Sequence, residues 1–472
     1  MSKLNTDVLY LIFEELQYDK DTLYSCLLTN KICCEIIIPI LWKNPWYQLN
    51  SNNKKSLLLN VIISHLSDES KNKLKNQGIN FLETTLNQKP LFDYIKFCKH
   101  LNLYIIFEII DNVYNIIKHI SMIKKEIIIL FINRNIKFTH FYTPQTYNYQ
   151  IINISEVKHL FSELQFLNCS NTDKNIWFLL KDICQSIKEL DLIIEKPKIN
   201  IGIIKLIESQ KNLKKVNFDV VVKRSSETCK ILENSLIKHA NNIQHFRTTK
   251  PPVTKILSSF VNLKILELDN HFYENWNCLE DLSLPLLQNL KASHVPIKAL
   301  TNFINNTNGY LTKIDIDLVS HNKNDNKRII QAIYQNCLNL KYLKLTIRSE
   351  NIKELENLLI RCQHLNRLII IIDNADYIFN WIKLFKVLTN SSPIKLFMFK
   401  FWVENINRSI NLDYLKFFFD NWKERPPISF QLSRRLKSVG IDNLIKKYKA
   451  EGIIAKYDNF CENENENWNF FR

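Results

Sequence analysis

Thiol and metal chemistry needs ligands at short fixed spacings, and the eleven cysteines are the first residues to test for it. They are dispersed from Cys26 to Cys461 with no C-x-x-C pair, which argues against zinc ribbons, RING-type modules and thioredoxin-like chemistry. Cys184, Cys337 and Cys362 instead each stand three residues ahead of an apolar run, where a buried thiol at a helix end is expected. The eleven histidines include no His-x-x-x-His pair, so a helical metal site lacks its ligands. Glycine is scarcer: Gly78, Gly202, Gly309, Gly440 and Gly452 are isolated, whereas a phosphate-cradling loop needs clustered glycines so that backbone N–H groups can approach the anion. These patterns exclude Rossmann and P-loop nucleotide enzymes. The expectation is a non-catalytic chain without cofactor or metal.

The remaining chemistry on offer is charge. A formal +16 invites phosphate binding, because clustered Lys and Arg release counterions from nucleic acid. The basic residues are spread along the chain, and the densest run, Arg434–Lys449, reads as a solvated helix face. No apolar run approaches the ~18 residues of a membrane span, the longest being of the kind at Ile127–Ile132. The N-terminus carries Asp7 and no signal-peptide layout, so a soluble protein of the cytoplasm or nucleus is expected.

The elements that would position these residues are set by a repeated pattern. Leu-x-x-Leu-x-Leu or a close variant occurs about ten times, from LQFLNC at Leu164 to IKLFMF at Ile394. The middle apolar residues are Leu167, Leu190, Val216, Phe246, Leu266, Leu290, Ile314, Leu343, Leu368 and Phe397. Their separation of roughly 20 to 30 residues is that of leucine-rich repeats, each giving one strand and one helix. The fold class is therefore α/β, a solenoid over residues 151–432. Helices are expected at Asp325–Cys337, Ile352–Cys362 and Leu412–Trp422, a further strand at Ile428–Leu432, and a terminal helix around Asp442–Lys449 capping the open end within 433–472.

Alternation along each strand buries the pattern residues and turns the others outward. Outward acids are Glu189, Asp191, Asp219, Glu267, Asp269, Asp315 and Asp317; outward bases are Lys215, Arg247, Lys291, Lys313, Lys344, Arg367 and Lys400. They balance, so this face does not look like a phosphate-tracking surface and nucleic acid is an unlikely partner. Tyr342, Ile369, Ile371, Leu396 and Met398 are expected as an exposed apolar patch for a protein substrate, unless the C-terminal tail with Trp468, Phe470 and Phe471 covers it. If the patch binds substrate, Ile369→Asp with Ile371→Asp should abolish substrate capture and leave other functions intact.

Residues 1–46 have a different character. Asn5 or Thr6 can cap a helix carrying Leu9, Ile12, Phe13 and Leu16 on one stripe. Leu23, Cys26 and Leu27 follow, and then Cys33, Ile36, Ile37, Ile40 and Leu41 with Trp42, Pro39 being expected to bend this third helix. Three such helices bury too little surface to be stable alone and must dock on the following region or on a partner. The stretch LNTDVLYLIFEEL resembles an F-box. Leu4, Asp7, Val8, Leu9, Ile12, Phe13 and Leu16 match the family pattern, as do Ser25-Cys26 and Trp42, while Asn5 replaces the family's proline and keeps a capping side chain. The resemblance covers about a tenth of the chain. It implies binding to a Skp-type adaptor, and through it a cullin, with Leu4, Leu9, Ile12, Phe13, Leu16 and Trp42 as contacts. An F-box followed by leucine-rich repeats implies a substrate receptor of a Skp–cullin–F-box ubiquitin ligase; a repeat scaffold unconnected to ubiquitin is the alternative.

Between the two lies a connector, residues 47–150. Lys55–Leu66, Leu91–Leu103 and Tyr104–Met122 have helical spacing, Glu126–Phe138 reads as a strand from its β-branched residues, and the turn cluster Tyr142–Asn148 marks a boundary.

Overall fold

Side-chain caps start each of the three N-terminal helices. Asn5 accepts from the Asp7 N–H at 3.2 Å before α1 (Thr6–Glu15), Asp19 from Thr22 at 3.1 Å before α2 (Lys20–Leu27), and Asn30 from Cys33 at 2.9 Å before α3 (Lys31–Lys43). Each satisfies a donor that the helix itself leaves without a partner. Pro39 lies inside α3 without ending it. The three helices close over Phe13, Leu23, Cys33, Ile36, Ile37 and Ile40, with Leu9, Leu16, Cys26, Leu27 and Leu41 packed against them.

The computed structural model describes residues 5–47, 49, 51–77, 90–113, 120–132, 136–143, 158–170, 176–198, 200–223, 225–270, 272, 274–319, 322–372, 379–403 and 410–460. They divide into two compact units, Met1–Asn217 with Arg224–Leu236, and Phe218–Lys223 with Ile237–Arg472.

In the first unit α3 is followed by α4 (Asn52–Ser64) and α5 (Asp68–Asn76), then a 3₁₀ turn at Tyr94–Phe97, strand β1 (His100–Asn102), α6 (Leu103–Val113) and α7 (Ile120–Ile132). Two expectations for the connector are corrected here. Leu91–Leu103 is not a helix but the 3₁₀ turn and β1. Glu126–Phe138 is not a strand; its first part completes α7, which buries Ile123, Ile127, Ile128, Leu130 and Phe131. Burial of a helical apolar stripe outweighs the weak β preference of isoleucine.

Strand β1 pairs in parallel with β2 (His140–Tyr142), β2 with β3 (Phe166–Ser170) and β3 with β4 (Glu189–Ile194), and β5 (Lys215–Val220) follows in chain order. The ladder thus opens at His100, ahead of the expected start at 151. Tyr142, expected at a domain boundary, is the last residue of β2, and residues 144–148 of that turn cluster lie outside the described residues. The two leading strands are three residues each, and the variants of the pattern they carry, CKHLNL from Cys98 and FTHFYT from Phe138, open on Cys and Phe in place of leucine.

The second unit continues from the end of β5 through β6 (His245–Thr248), β7 (Ile265–Asp269), β8 (Asn289–Ser293), β9 (Lys313–Asp317), β10 (Tyr342–Thr346), β11 (Arg367–Ile372), β12 (Met398–Val403), β13 (Ile428–Ser433) and β14 (Ile454–Phe460), in chain order. From β6 onward each strand is parallel to the next. Such an open parallel ladder of alternating strands and helices is the leucine-rich-repeat solenoid. The helices at Lys323–Asn336, Ile352–Arg361, Trp381–Ser391 and Leu412–Asp420 occupy the links between β9 and β13. Among the described residues, the links between β6 and β8 hold the single turn Ile256–Ser259 and the 3₁₀ turn Asn277–Leu279. The helix Ile441–Ala450 does not cap the ladder as expected: β14 follows it and pairs with β13.

The registers put the pattern residues in stacked rows, Leu167 beside Leu190 in the first unit and Phe246, Leu266, Leu290, Ile314, Leu343 and Leu368 in the second. All are buried. One register is corrected. Leu368 pairs with Phe399, not Phe397, so the last repeat reads from Leu396 and not from Ile394. Ile394 is exposed and Leu396 is fully buried, so Leu396 takes the place of a first pattern leucine.

Candidate functional site

The N-terminal module presents two apolar stripes, and the structure separates them. Leu9, Phe13 and Leu16 face the core shared with α2 and α3. Val8, Leu11 and Ile12, at i, i+3 and i+4, form the second stripe of α1 and are 42%, 61% and 46% exposed. Tyr24 and Leu28 make an exposed pair one helical turn apart at the end of α2, and Ile32 is exposed at the start of α3. A small module that leaves this many large apolar groups in water has a surface suited to a protein partner.

Of the six residues expected at the adaptor, only Ile12 is exposed. Phe13 is core, Leu9 and Leu16 are half-buried against it, and Leu4 lies outside the described residues. Trp42 is half-buried and stacked on Tyr94, ring centroids 4.8 Å apart, which ties the module to the connector. Val8 was legible only as part of the family pattern; Leu11, Leu28 and Ile32 were missed. The readable signal was that α1 is apolar on two flanks, more than one buried stripe requires.

Attachment to the connector is built from several contacts. Trp46 is buried, and its Nε1–H donates to the His100 carbonyl at 2.6 Å. The Lys99 N–H donates to the Lys43 carbonyl at 3.0 Å, and Lys20 Nζ donates to the Tyr47 carbonyl at 2.6 Å. His100 stacks on His140, the rings nearly parallel with centroids 3.7 Å apart, and burial holds the His100 imidazole down to about 3. Stacking of this kind orders the start of the ladder next to the module. The expectation that the three helices must dock on the following region is met through Trp42, Trp46 and Lys43.

On the strands, the outward charges pair across neighbouring strands. Lys215 lies 3.1 Å from Glu189 in the first unit. In the second, Arg247 lies 2.7 Å from Asp219, His245 2.8 Å from Glu267 and His294 3.4 Å from Asp269. Lys344 sits 2.7 Å from Asp317 and 3.6 Å from Asp315, with its ammonium 5.1 Å from the centre of the Trp402 ring, and the Ser293 hydroxyl donates to Asp317. Lys344, Asp315 and Asp317 are all buried. Burial pushes the Asp315 carboxyl up, partly offset by Lys344. For Lys344 burial pulls down, but the two aspartates outweigh it and the ammonium is held above its ordinary value. Burial brings Lys313 down to about 8. Bases already matched to acids in this way are poorly placed to track a phosphate backbone.

The expected apolar patch is corrected. Alternation places Tyr342, Ile369 and Ile371 on the outward face, yet they are 8%, 3% and 0% exposed; Leu396 is interior and Met398 half-buried. The registers supply the reason. Ile369 lies between Lys344 and Lys400, Ile371 between Thr346 and Trp402, and Tyr342 between Lys313 and Arg367. At a strand spacing of about 4.8 Å, long side chains on both sides cover a shorter one. Trp468, Phe470 and Phe471 lie outside the described residues. Ile369→Asp combined with Ile371→Asp is therefore expected to place two charges in buried positions and unfold the second unit, read as an early thermal transition by circular dichroism. Retention of the parental transition would restore the exposed-patch reading.

Among the described residues no group of three or more His, Cys, Asp or Glu side chains is placed to hold a metal ion, and no helix is long and apolar enough to cross a membrane.

No protein-family model matches the chain and no curated protein resembles it. Among solved structures it is similar to the leucine-rich repeat-containing protein LegL7 from Legionella pneumophila, at 15% identity and a TM-score of 0.37, over 63% of this chain and 91% of that one. It is also similar to a chain of the Rad7 and Elc1 complex of yeast, at 13% identity and a TM-score of 0.38, over 67% of this chain and 82% of that one. Likenesses this distant carry no functional argument, and the strand ladder itself carries the fold: the chain is a leucine-rich-repeat solenoid that begins with a docked three-helix module.

Proposed function

We propose that this protein is a non-catalytic substrate receptor of a Skp–cullin–F-box ubiquitin ligase, acting in the cytoplasm or nucleus. Its N-terminal module docks on a Skp-type adaptor and its repeats hold a protein substrate. The observation that carries the reading is the second apolar stripe of α1, Val8, Leu11 and Ile12, left in water on a module whose core is already complete. It coincides with the stretch that resembles an F-box, so the residues that match the pattern and those free to meet a partner lie on the same helix. The attachment through Trp42 and Trp46 supports the reading, because a receptor must hold its substrate at a defined distance from the adaptor.

The full chain mixed with a purified Skp-type adaptor is expected to co-elute in size-exclusion chromatography as a 1:1 complex. A folded chain that elutes alone favours the scaffold reading and removes ubiquitin from the account. Nucleic-acid association is the weakest reading, since the outward charges are paired within the strands; a binding constant that falls steeply with salt would revive it.

A further inference from the structure

A cleft of about 230 Å³ opens on the flank of α1 away from the Val8 stripe. Its walls are Tyr10 and Glu14 of α1, Lys43 at the end of α3, and Lys96, Phe97 and Lys99 around the 3₁₀ turn. Tyr10 and Glu14 are one helical turn apart and are offset from Val8, Leu11 and Ile12 around the helix, so the cleft is separate from the surface assigned to the adaptor.

Three lysines line it with one carboxylate, that of Glu14, and Lys99 also acts on Glu163 nearby. The Lys99 N–H bond to the Lys43 carbonyl holds those two residues side by side, and Lys96 is three residues earlier in the same segment. Their ammonium groups are loosely engaged. Lys43 is 3.6 Å from Glu14, beyond a good hydrogen bond; Lys99 donates to the Lys137 carbonyl at a long 3.4 Å; and Lys96 lies 5.0 Å over the Phe97 ring. Glu14 also receives the Tyr10 hydroxyl at 3.3 Å. Three cations against one anion, with an aromatic wall beside them, form a place where a negative group gains contacts without displacing strong ones.

We propose that this cleft binds a small anionic ligand, phosphoryl- or carboxylate-bearing, with a short apolar body against Phe97. The volume is below the ~300–1,000 Å³ of sites for larger ligands, which confines the occupant to a small metabolite-sized anion. Since α1, α3 and the connector each contribute a wall, an occupant fastens the N-terminal module to the segment that follows it.

The full-length chain is titrated with inorganic pyrophosphate and, separately, with citrate at fixed ionic strength, and binding is followed by the thermal transition and by calorimetry. Binding to the native state raises the transition in a saturable way. Lys96 is exposed and carries no core contact, so Lys96→Glu is expected to weaken the apparent Kd at least tenfold, and the milder Lys96→Gln about threefold. Saturable stabilisation lost in these variants supports the site, and the probe that binds more tightly assigns the anion as phosphoryl or carboxylate. Stabilisation that persists in both variants, or that sodium chloride reproduces at matched ionic strength, overturns it.

Discussion

Replacing Leu11 and Ile12 together by Asp is expected to reduce affinity for a Skp-type adaptor by about 100-fold or more, with the thermal transition of the chain almost unmoved. About half or more of each side chain is in water in the free protein, so the exchange removes little packing and costs about 1 kcal/mol of stability for the two together. In a complex they change role: an apolar anchor buried at the centre of an interface contributes ~2 kcal/mol or more, and a charge in its place must be desolvated as well. The contrast is Phe13→Asp, two residues from Leu11 in the sequence but inside the module core, which is expected to unfold the module and lose binding by that route. Calorimetric titration of the folded double variant reads the difference directly. Undiminished adaptor binding would move the docking surface off α1.

The second large effect is on stability. Lys344→Ala leaves Asp315 and Asp317 buried without the cation that lies between them, and breaking a buried pair by removing one partner costs about 3–5 kcal/mol. Its pH dependence has a definite sign. Lys344 is held above its ordinary pKa, so its contribution is complete below that ordinary value and is lost only as pH climbs through the raised one. Asp315 is raised by burial, so ionising it opposes folding once pH passes the ordinary carboxylate range. Without Lys344 that opposition grows. The gap in thermal stability between the parent and the variant should be widest near neutral pH and narrow as acid protonates Asp315. A gap independent of pH would mean that Lys344 acts through the packing of its stem against Trp402 and not through its charge.

The ladder was legible in advance because its signal is redundant. Leu266, Leu290, Ile314, Leu343 and Leu368 each repeat one demand, an inward side chain at a fixed place, and the registers align them residue for residue. Where the demand was stated only once, the reading slipped. Ile394 and Leu396 both suit the opening of a repeat, and only pairing with Leu368 decides for the frame of Phe399. The isoleucines of α7 are equally at home in a strand, and their burial as a helical stripe was decided by contacts that no local window contains. The outward face failed differently. Alternation gave the direction of Ile369 and Ile371 correctly, but exposure depends on the side chains of adjacent strands, Lys344, Lys400 and Trp402, which lie far away in sequence. In the N-terminal module, patterning located the helices and offered Asn5 or Thr6 as the first cap, but not Asp19 or Asn30. It left Phe13 and Ile12 indistinguishable, since neighbouring positions on an amphipathic helix differ only by where the partner helices happen to pack.

The bond from Trp46 to the His100 carbonyl bears on how this protein can be recombined. A boundary at residue 46 looks like a natural place to cut, yet Trp42 and Trp46 complete their contacts only with Tyr94 and the first strand. A graft of the first 46 residues onto another repeat protein would arrive with Trp42 parted from Tyr94 and Trp46 parted from the His100 carbonyl. The transferable unit runs to Asn102. Exchange among proteins of this architecture, in the laboratory or by gene rearrangement, should therefore keep the three helices and the first strand as one inherited piece.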